Sequence, residues 1–183
     1  ESAKEKLATY SDMFGENANY LMLHGDMALA QNEIEKAFIY YLKSHQSMTN
    51  FHLPLLKLYV IAQQNQQYRS KFINYIRKFM SQGSQSVLVK QILADALMLD
   101  KQYDEAERIY TVLLDEEKLS QRAFILNNMA NIYINKDIEK ALAYSQKALE
   151  ISGNSAPLLD TYGWLLVTAN QVEKGLDTLR RAY

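Results

Sequence analysis

The chain has 183 residues, of which 48% are hydrophobic and 22% charged, and it contains no cysteine. This composition is typical of a folded globular protein and excludes a disordered chain, disulfides and thiolate metal sites. The 20 Lys and Arg residues against 21 Asp and Glu leave a net charge of -1, which lacks the basic field that nucleic acid binding requires. Six glycines and two prolines are few turn signals for an all-β fold, so we expect an all-α protein.

The helical pattern begins at the first residues of the chain. Ala3, Leu7 and Tyr10 follow the spacing of one helix face, and residues 1–15 are predicted to be the second helix of a preceding repeat. Repeats of two helices joined by a polar turn then follow along the rest of the chain. Their predicted bounds are about 18–51, 52–86, 87–122, 123–155 and 156–183.

Small residues mark the helix crossings in these repeats. Ala106, Ala141 and Gly175 are 35 and 34 residues apart, and Ala37 lies two such steps before Ala106. A second series precedes them by about twelve residues, at Gly25, Ala94, Ala130 and Gly163. Gly or Ala at these places lets two antiparallel helices approach closely.

Two departures from this pattern predict local differences. In the second copy Tyr59 and Lys71 occupy the two small-residue positions, so this helix pair is expected to pack more loosely or at another angle. Between the two helices of the fourth copy, Tyr133 and Ala141 are 8 residues apart where 9 is usual, which predicts a short turn.

A period near 34 with small residues at these positions resembles the tetratricopeptide repeat (TPR) family. The resemblance implies a right-handed superhelical solenoid whose first helices line a concave groove that binds a protein or peptide partner. The candidate groove residues of the first three copies are Asn19, Met22, Asp26, Leu53, Leu56, Val60, Gln91, Asp95 and Met98. Those of the last two copies are Phe124, Asn127, Asn131, Asn135, Asp160 and Trp164.

The groove positions predict the chemistry of the partner. They include three Asp residues and neither Lys nor Arg, so the basic clamp with which some TPR proteins hold a terminal carboxylate is missing, although Asn131 matches its asparagine. We expect a neutral or basic, partly apolar segment, bound by the amides of Asn127 and Asn131 with Trp164 as an apolar anchor. Two alternatives remain at this point: the amides only hydrate the groove, and Trp164 packs against a neighbouring segment.

No pattern of catalytic, cofactor-binding or metal-binding residues is recognisable, and the prediction is a protein that is not an enzyme. The three histidines share no metal-ligand spacing. We expect His24 to be a satisfied interior residue, and His45 and His52 to contact solvent beside a loop. Most of the 13 tyrosines fall at packing positions of second helices, where the hydroxyl reaches water.

The last 60 or so residues suggest a more specific assignment. Leu126–Tyr133 and Leu158–Val167 resemble the closing repeats of bacterial TPR proteins of exopolysaccharide export and exosortase (PEP-CTERM) systems, which are often envelope lipoproteins. The resemblance implies an alternative function as an assembly or regulatory subunit, and a bacterial periplasm or envelope location over the cytoplasm.

The helix that begins near Val172 lacks a polar cap, which predicts self-association through its apolar face. No apolar run is long enough to span a membrane.

Overall fold

The computed structural model describes residues 14–116, 119–153 and 155–183. Within these ranges the chain forms ten α-helices and no strand. The helices are α1 (Ala18–Ala30), α2 (Ile34–Ser47), α3 (Leu53–Gln64), α4 (Gln66–Ser81), α5 (Val87–Leu99), α6 (Tyr103–Leu114), α7 (Arg122–Tyr133), α8 (Ile138–Ser152), α9 (Ala156–Thr168) and α10 (Val172–Arg180). The helix predicted over residues 1–15 lies outside the described residues except for its last two positions.

The helices form hairpins that pack in sequence order. Two compact units result, unit 1 ending at Gln85 and unit 2 beginning at Ser86. In unit 1 each of α1 to α4 packs on the next, and in unit 2 the same holds from α5 to α10, with α7 also touching α9. Part of the unit 2 core lies where Ala123 and Leu126 of α7 meet Ala148 of α8 and Leu158 of α9. No helix in the described ranges is both long and apolar enough to cross a membrane.

Polar side chains fix where several helices begin. The side-chain oxygen of Asn17 accepts hydrogen bonds from the backbone of α1, and Asn65, Ser86 and Asp137 cap α4, α5 and α8 in the same way. These caps satisfy backbone N–H groups that the helix itself leaves without acceptors. Pro54 and Pro157 lie in the first turns of α3 and α9, where a missing N–H costs little.

Three hairpin turns share one geometry. Asn32, Lys101 and Asn170 are each the second residue after a first helix, and each has a positive φ of 58°, 61° or 63°. In each turn the next N–H bonds back to a carbonyl in the last turn of the helix, as in a Schellman motif. The turn at residues 134–137 has four residues between its helices where these three turns have three, and none of the four has a positive φ. The short turn expected from the spacing of Tyr133 and Ala141 is therefore not found.

Close helix crossings explain the small residues. A Cβ on Gly25 would lie 2.5 Å from the Tyr41 ring, and one on Gly175 would lie 2.8 Å from the carbonyl oxygen of Gly163. Neither distance is tolerable for a methyl group, so glycine at these two positions follows from the approach of the paired helices.

The second hairpin is built differently from the prediction. Lys71, assigned to the small-residue position, is exposed, and its neighbour Phe72 is completely buried instead. The Phe72 ring packs on Tyr59 of α3 with centroids 5.9 Å apart. The sequence register was therefore wrong by one residue here, because a pair of aromatic rings replaces the small-residue crossing.

Candidate functional site

The residues predicted to line a groove lie on the first helix of each hairpin. In unit 1 they are Asn19, Met22, Asp26, Leu53, Leu56 and Val60, here called the unit 1 groove face. In unit 2 they are Gln91, Asp95, Met98, Phe124, Asn127, Asn131, Asp160 and Trp164, called the unit 2 groove face. Asn135, which was also predicted, lies instead in the turn after α7. All of these residues are at least partly exposed. Each face is described by itself.

The unit 1 groove face is mainly aliphatic. Leu53, Leu56 and Val60 on α3 are exposed, and so is Leu23 on α1. Residues 53, 56 and 60 follow one face of the helix, so their side chains form a single apolar strip. Exposed aliphatic residues grouped in this way favour burial by another molecule.

Asp26 lies beside this strip in a three-residue cluster. The hydroxyl of Tyr41 on α2 donates a hydrogen bond of 2.7 Å to Asp26 Oδ1. The amine of Lys57 on α3 lies 3.0 Å from the same oxygen. Burial and the neighbouring carboxylate raise the pKa of the Tyr41 hydroxyl well above its usual range, so it stays protonated and donates. This cluster joins α1, α2 and α3.

Asp95 has a corresponding cluster in unit 2. The hydroxyl of Tyr110 on α6 donates to Asp95 Oδ1 at 2.6 Å, and the side-chain amide of Asn128 on α7 donates to the same oxygen at 3.1 Å. The Asn128 amide also lies 3.0 Å from the Tyr110 hydroxyl. Burial raises the pKa of Asp95, and the two hydrogen bonds oppose that rise without cancelling it.

Amide and aromatic side chains make up the rest of the unit 2 groove face. Phe124, Asn127 and Asn131 share one face of α7, and the exposed fraction of Phe124 is 47%. Asn127 Oδ1 is buried and has no hydrogen-bond partner among the residues the structure describes. Trp164 on α9, which packs against α7, is 56% exposed. The exposed rings of Phe124 and Trp164 are groups that a bound peptide can cover, whereas Asn127 Oδ1 is enclosed.

Asp160 lies at the far end of the unit 2 groove face. Its Oδ1 accepts a 3.1 Å hydrogen bond from the hydroxyl of Tyr183. Together with Ala156, Pro157 and Ala182 these two residues line a hollow of about 250 Å³. Thus all three predicted groove aspartates are hydrogen-bonded to a tyrosine of this chain.

None of the three histidines is among the residues assigned to the groove faces. His24 stacks on Tyr40 and meets Tyr20 edge-on, with ring centroids 5.1 and 4.6 Å apart. These three rings line a hollow of about 780 Å³ beside α1 and α2. His24 is only half-buried, so it is not a fully interior residue.

His45 does not contact solvent as the sequence suggested, because it is completely buried. Its Nδ1 is 2.6 Å from the Tyr75 hydroxyl, and its ring meets Phe79 edge-on at 4.8 Å. Burial lowers the pKa of His45 to about 4, and the charge of His52 acts in the same direction. The residue therefore packs α2 against α4 as a neutral ring.

A charged cluster outside the groove faces links α6 to α7 and α8. The Tyr133 hydroxyl donates to Glu107 Oε1 and accepts from the Lys140 amine at 2.6 Å. Lys136 lies 2.8 Å from Asp104. Each charged side chain of this cluster has an ion-pair or hydrogen-bond partner within it, which indicates a structural role. In the described part of the chain no group of three or more His, Cys, Asp or Glu side chains is arranged to hold a metal.

Sequence reasoning missed the partners of the groove aspartates. Lys57 falls one place outside the assigned groove positions, yet it brings a cation to the unit 1 groove face. Asn128 was given no role, and Tyr41 and Tyr110 belong to the tyrosines assigned to packing. A signal was present, since Asp26 and Tyr41 are fifteen residues apart and so are Asp95 and Tyr110.

Known structures show what this fold is. No protein-family model matches the chain, and no curated protein matches its sequence. MamA of Desulfovibrio magneticus RS-1 superposes with a TM-score of 0.70 at 14% identity, covering 90% of this chain and 92% of that one. PilF of Pseudomonas aeruginosa gives 0.70 at 16% identity, covering 91% and 76%. YrrB, a TPR protein, gives 0.63 at 15% identity, covering 96% and 90%. The predicted fold class, an all-α solenoid of TPR helix pairs, is confirmed.

Proposed function

We propose that this chain is a non-catalytic scaffold that binds a peptide segment of a partner protein on its groove faces. The observation that carries the proposal is the unit 2 groove face, where exposed Phe124 and Trp164 accompany Asn127 and Asn131. Aromatic side chains supply apolar contact area at low entropic cost, and amides bond a peptide backbone whatever its sequence. YrrB, which has this fold, is described as having an unusual peptide-binding site.

The expected ligand is neutral or basic and partly apolar. The aliphatic strip of the unit 1 groove face suits apolar side chains. The unit 2 groove face has two aspartates and neither Lys nor Arg among its assigned residues. An acidic peptide would lose hydration there without gaining a charged hydrogen-bond donor.

Selection from a library of random dodecapeptides displayed on phage tests the proposal. We expect peptides that bind the immobilised chain, and we expect Phe124→Ala with Asn131→Ala to weaken binding of a selected peptide about tenfold. Lys147→Ala, an exposed change on second helix α8, is the matched control and should leave affinity unchanged. Failure to select any peptide, or equal loss in both variants, would count against groove binding.

An alternative function is that of an assembly or regulatory subunit in a bacterial envelope system for polysaccharide export or protein sorting. The resemblance of the last 60 or so residues to the closing repeats of TPR proteins from such systems supports this alternative. An envelope or periplasmic location, with a lipoprotein anchor on the whole protein, belongs to the same proposal. Fractionation of cells that express the full-length protein tests it. Recovery in the cytoplasmic fraction alone would oppose this role while leaving peptide binding untouched.

A further inference from the structure

Two aspartates occupy corresponding places in their repeats. Asp26 follows Gly25 and Asp95 follows Ala94, which are aligned small residues of first helices. Each accepts a hydrogen bond from a tyrosine fifteen residues later. In both clusters the tyrosine and the donor from the next first helix bind the same oxygen, Oδ1. One oxygen is thus fixed in the same way in both units.

The third member of the cluster is where the units differ. Lys57 and Asn128 also correspond, since they lie two residues before the aligned Tyr59 and Ala130. Lys57 brings a positive charge to Asp26, so the unit 1 cluster is neutral. Asn128 brings an uncharged amide to Asp95, so the unit 2 cluster keeps one negative charge.

The negative charge of the Asp95 carboxylate is therefore not balanced by a cation from the described part of the chain. Among the residues that the structure describes, it forms no ion pair, and its Oδ2 is neither hydrogen-bonded nor enclosed. Its pKa is raised because burial outweighs the two hydrogen bonds that favour the charged form. A half-buried carboxylate gains more from an added cation than a fully hydrated one does, because screening by water is weaker.

We propose that Asp95 is the residue of the unit 2 groove face that binds a Lys or Arg side chain of the partner peptide, through Oδ2. Unit 1 indicates the fitting group, because Lys57 of this chain already supplies a cation to the corresponding carboxylate. Tyr110 and Asn128 are positioning residues that hold Oδ1. This inference rests on the proposed peptide binding and names its charged determinant.

The test is the same dodecapeptide selection on four whole chains. They are wild type, Asn128→Lys, Asp95→Asn and Lys57→Asn. Asn128→Lys gives the unit 2 cluster the lysine of the unit 1 cluster, and Lys57→Asn gives the unit 1 cluster the asparagine of the unit 2 cluster. Asp95→Asn removes the negative charge at nearly constant side-chain shape. We expect the Lys and Arg content of peptides selected on wild type to exceed that of the library. It should fall to the library level with Asn128→Lys and with Asp95→Asn, and rise further with Lys57→Asn. Helical circular dichroism confirms that each variant is folded.

A second measurement uses one lysine-bearing peptide selected on wild type. Replacing its lysine with norleucine should weaken binding about tenfold on wild type and leave it unchanged on Asp95→Asn. If the peptides selected on wild type, Asn128→Lys and Asp95→Asn all have the same Lys and Arg content, the inference is overturned while the proposed peptide binding stands. Selection of no peptide on any chain would overturn both.

Discussion

At the residue scale, Lys101 adopts a backbone conformation that side chains with a Cβ disfavour. Its φ of 61° matches the values at Asn32 and Asn170 in the corresponding turns. Asparagine tolerates the left-handed region better than lysine, because its short polar side chain can bond to the local backbone. The turn at Lys101 is therefore strained where the other two are not.

Lys101→Asn should raise the free energy of unfolding by about 0.5–1 kcal/mol, because the strain is relieved without loss of a contact. Urea denaturation followed by circular dichroism measures the change. Asn170→Lys is the matched control and should lower stability by a similar amount. Unchanged stability in both variants would show that the turn carries no strain.

His45 makes stability depend on pH. Its pKa is lowered to about 4 in the folded chain, against about 6.5 when exposed. The unfolded state therefore binds a proton first as the pH falls, so stability is complete above pH 6.5 and declines as the pH falls toward 4.

Across that range the loss should approach about 3 kcal/mol, with His45→Phe showing a smaller pH dependence than wild type. Urea denaturation at several pH values provides the measurement. His52→Gln keeps the buried ring and removes only the smaller cause of its lowered pKa, so most of the pH dependence should remain. Parallel pH profiles for wild type and His45→Phe would refute the assignment.

At the element scale, the aromatic crossing of α3 and α4 replaces the small-residue crossing of the other hairpins. Phe72 is buried between these helices and packs on Tyr59, whereas Lys71 is exposed with its amine 5.2 Å from the Tyr68 ring centre. The position that carries stability in this hairpin is thus Phe72.

Phe72→Ala should cost about 3–5 kcal/mol, because it leaves a cavity at a fully buried site. Lys71→Ala should change stability by less than about 0.5 kcal/mol, since it removes only an exposed side chain. Thermal and urea unfolding of the two variants compare them directly. A larger loss for Lys71→Ala than for Phe72→Ala would restore the original register.

The hairpins could be predicted from sequence because their signals are local and periodic. Small residues such as Ala106 and Ala141 recur at the repeat length, and the helices form where this pattern places them. The burial of His45 could not be predicted, because it depends on Tyr75 and Phe79, which lie on a helix far along the chain. The roles of Lys57 and Asn128 escaped prediction for the same reason: each becomes a partner only when the next hairpin packs.

At the scale of the whole molecule, the two units carry different surfaces for the same kind of site. The unit 1 groove face is aliphatic around a neutral Asp26–Lys57 pair, and the unit 2 groove face combines amides and aromatic rings with Asp95. A partner that uses both faces therefore needs both apolar and polar anchors.

Self-association is expected through the exposed face of α10. Val172 and Leu176 are 46% and 45% exposed there, and burying them would remove apolar area from water. The sedimentation coefficient should rise with protein concentration, and Leu176→Glu should abolish that rise. Lys174→Ala, an exposed polar position of the same helix, serves as the control. A wild-type chain that sediments as a monomer at every concentration would exclude this interface.

The exposure of Trp164 has a consequence for spectroscopy. It is the single tryptophan of the sequence, and more than half of its surface is in water while the chain is folded. Its emission maximum should lie near that of an unfolded chain, so denaturation of unit 2 shifts the spectrum little, and unit 1 has no indole to report at all. A blue shift of the emission in this protein therefore signals that another molecule has covered α9, and not that the chain has folded.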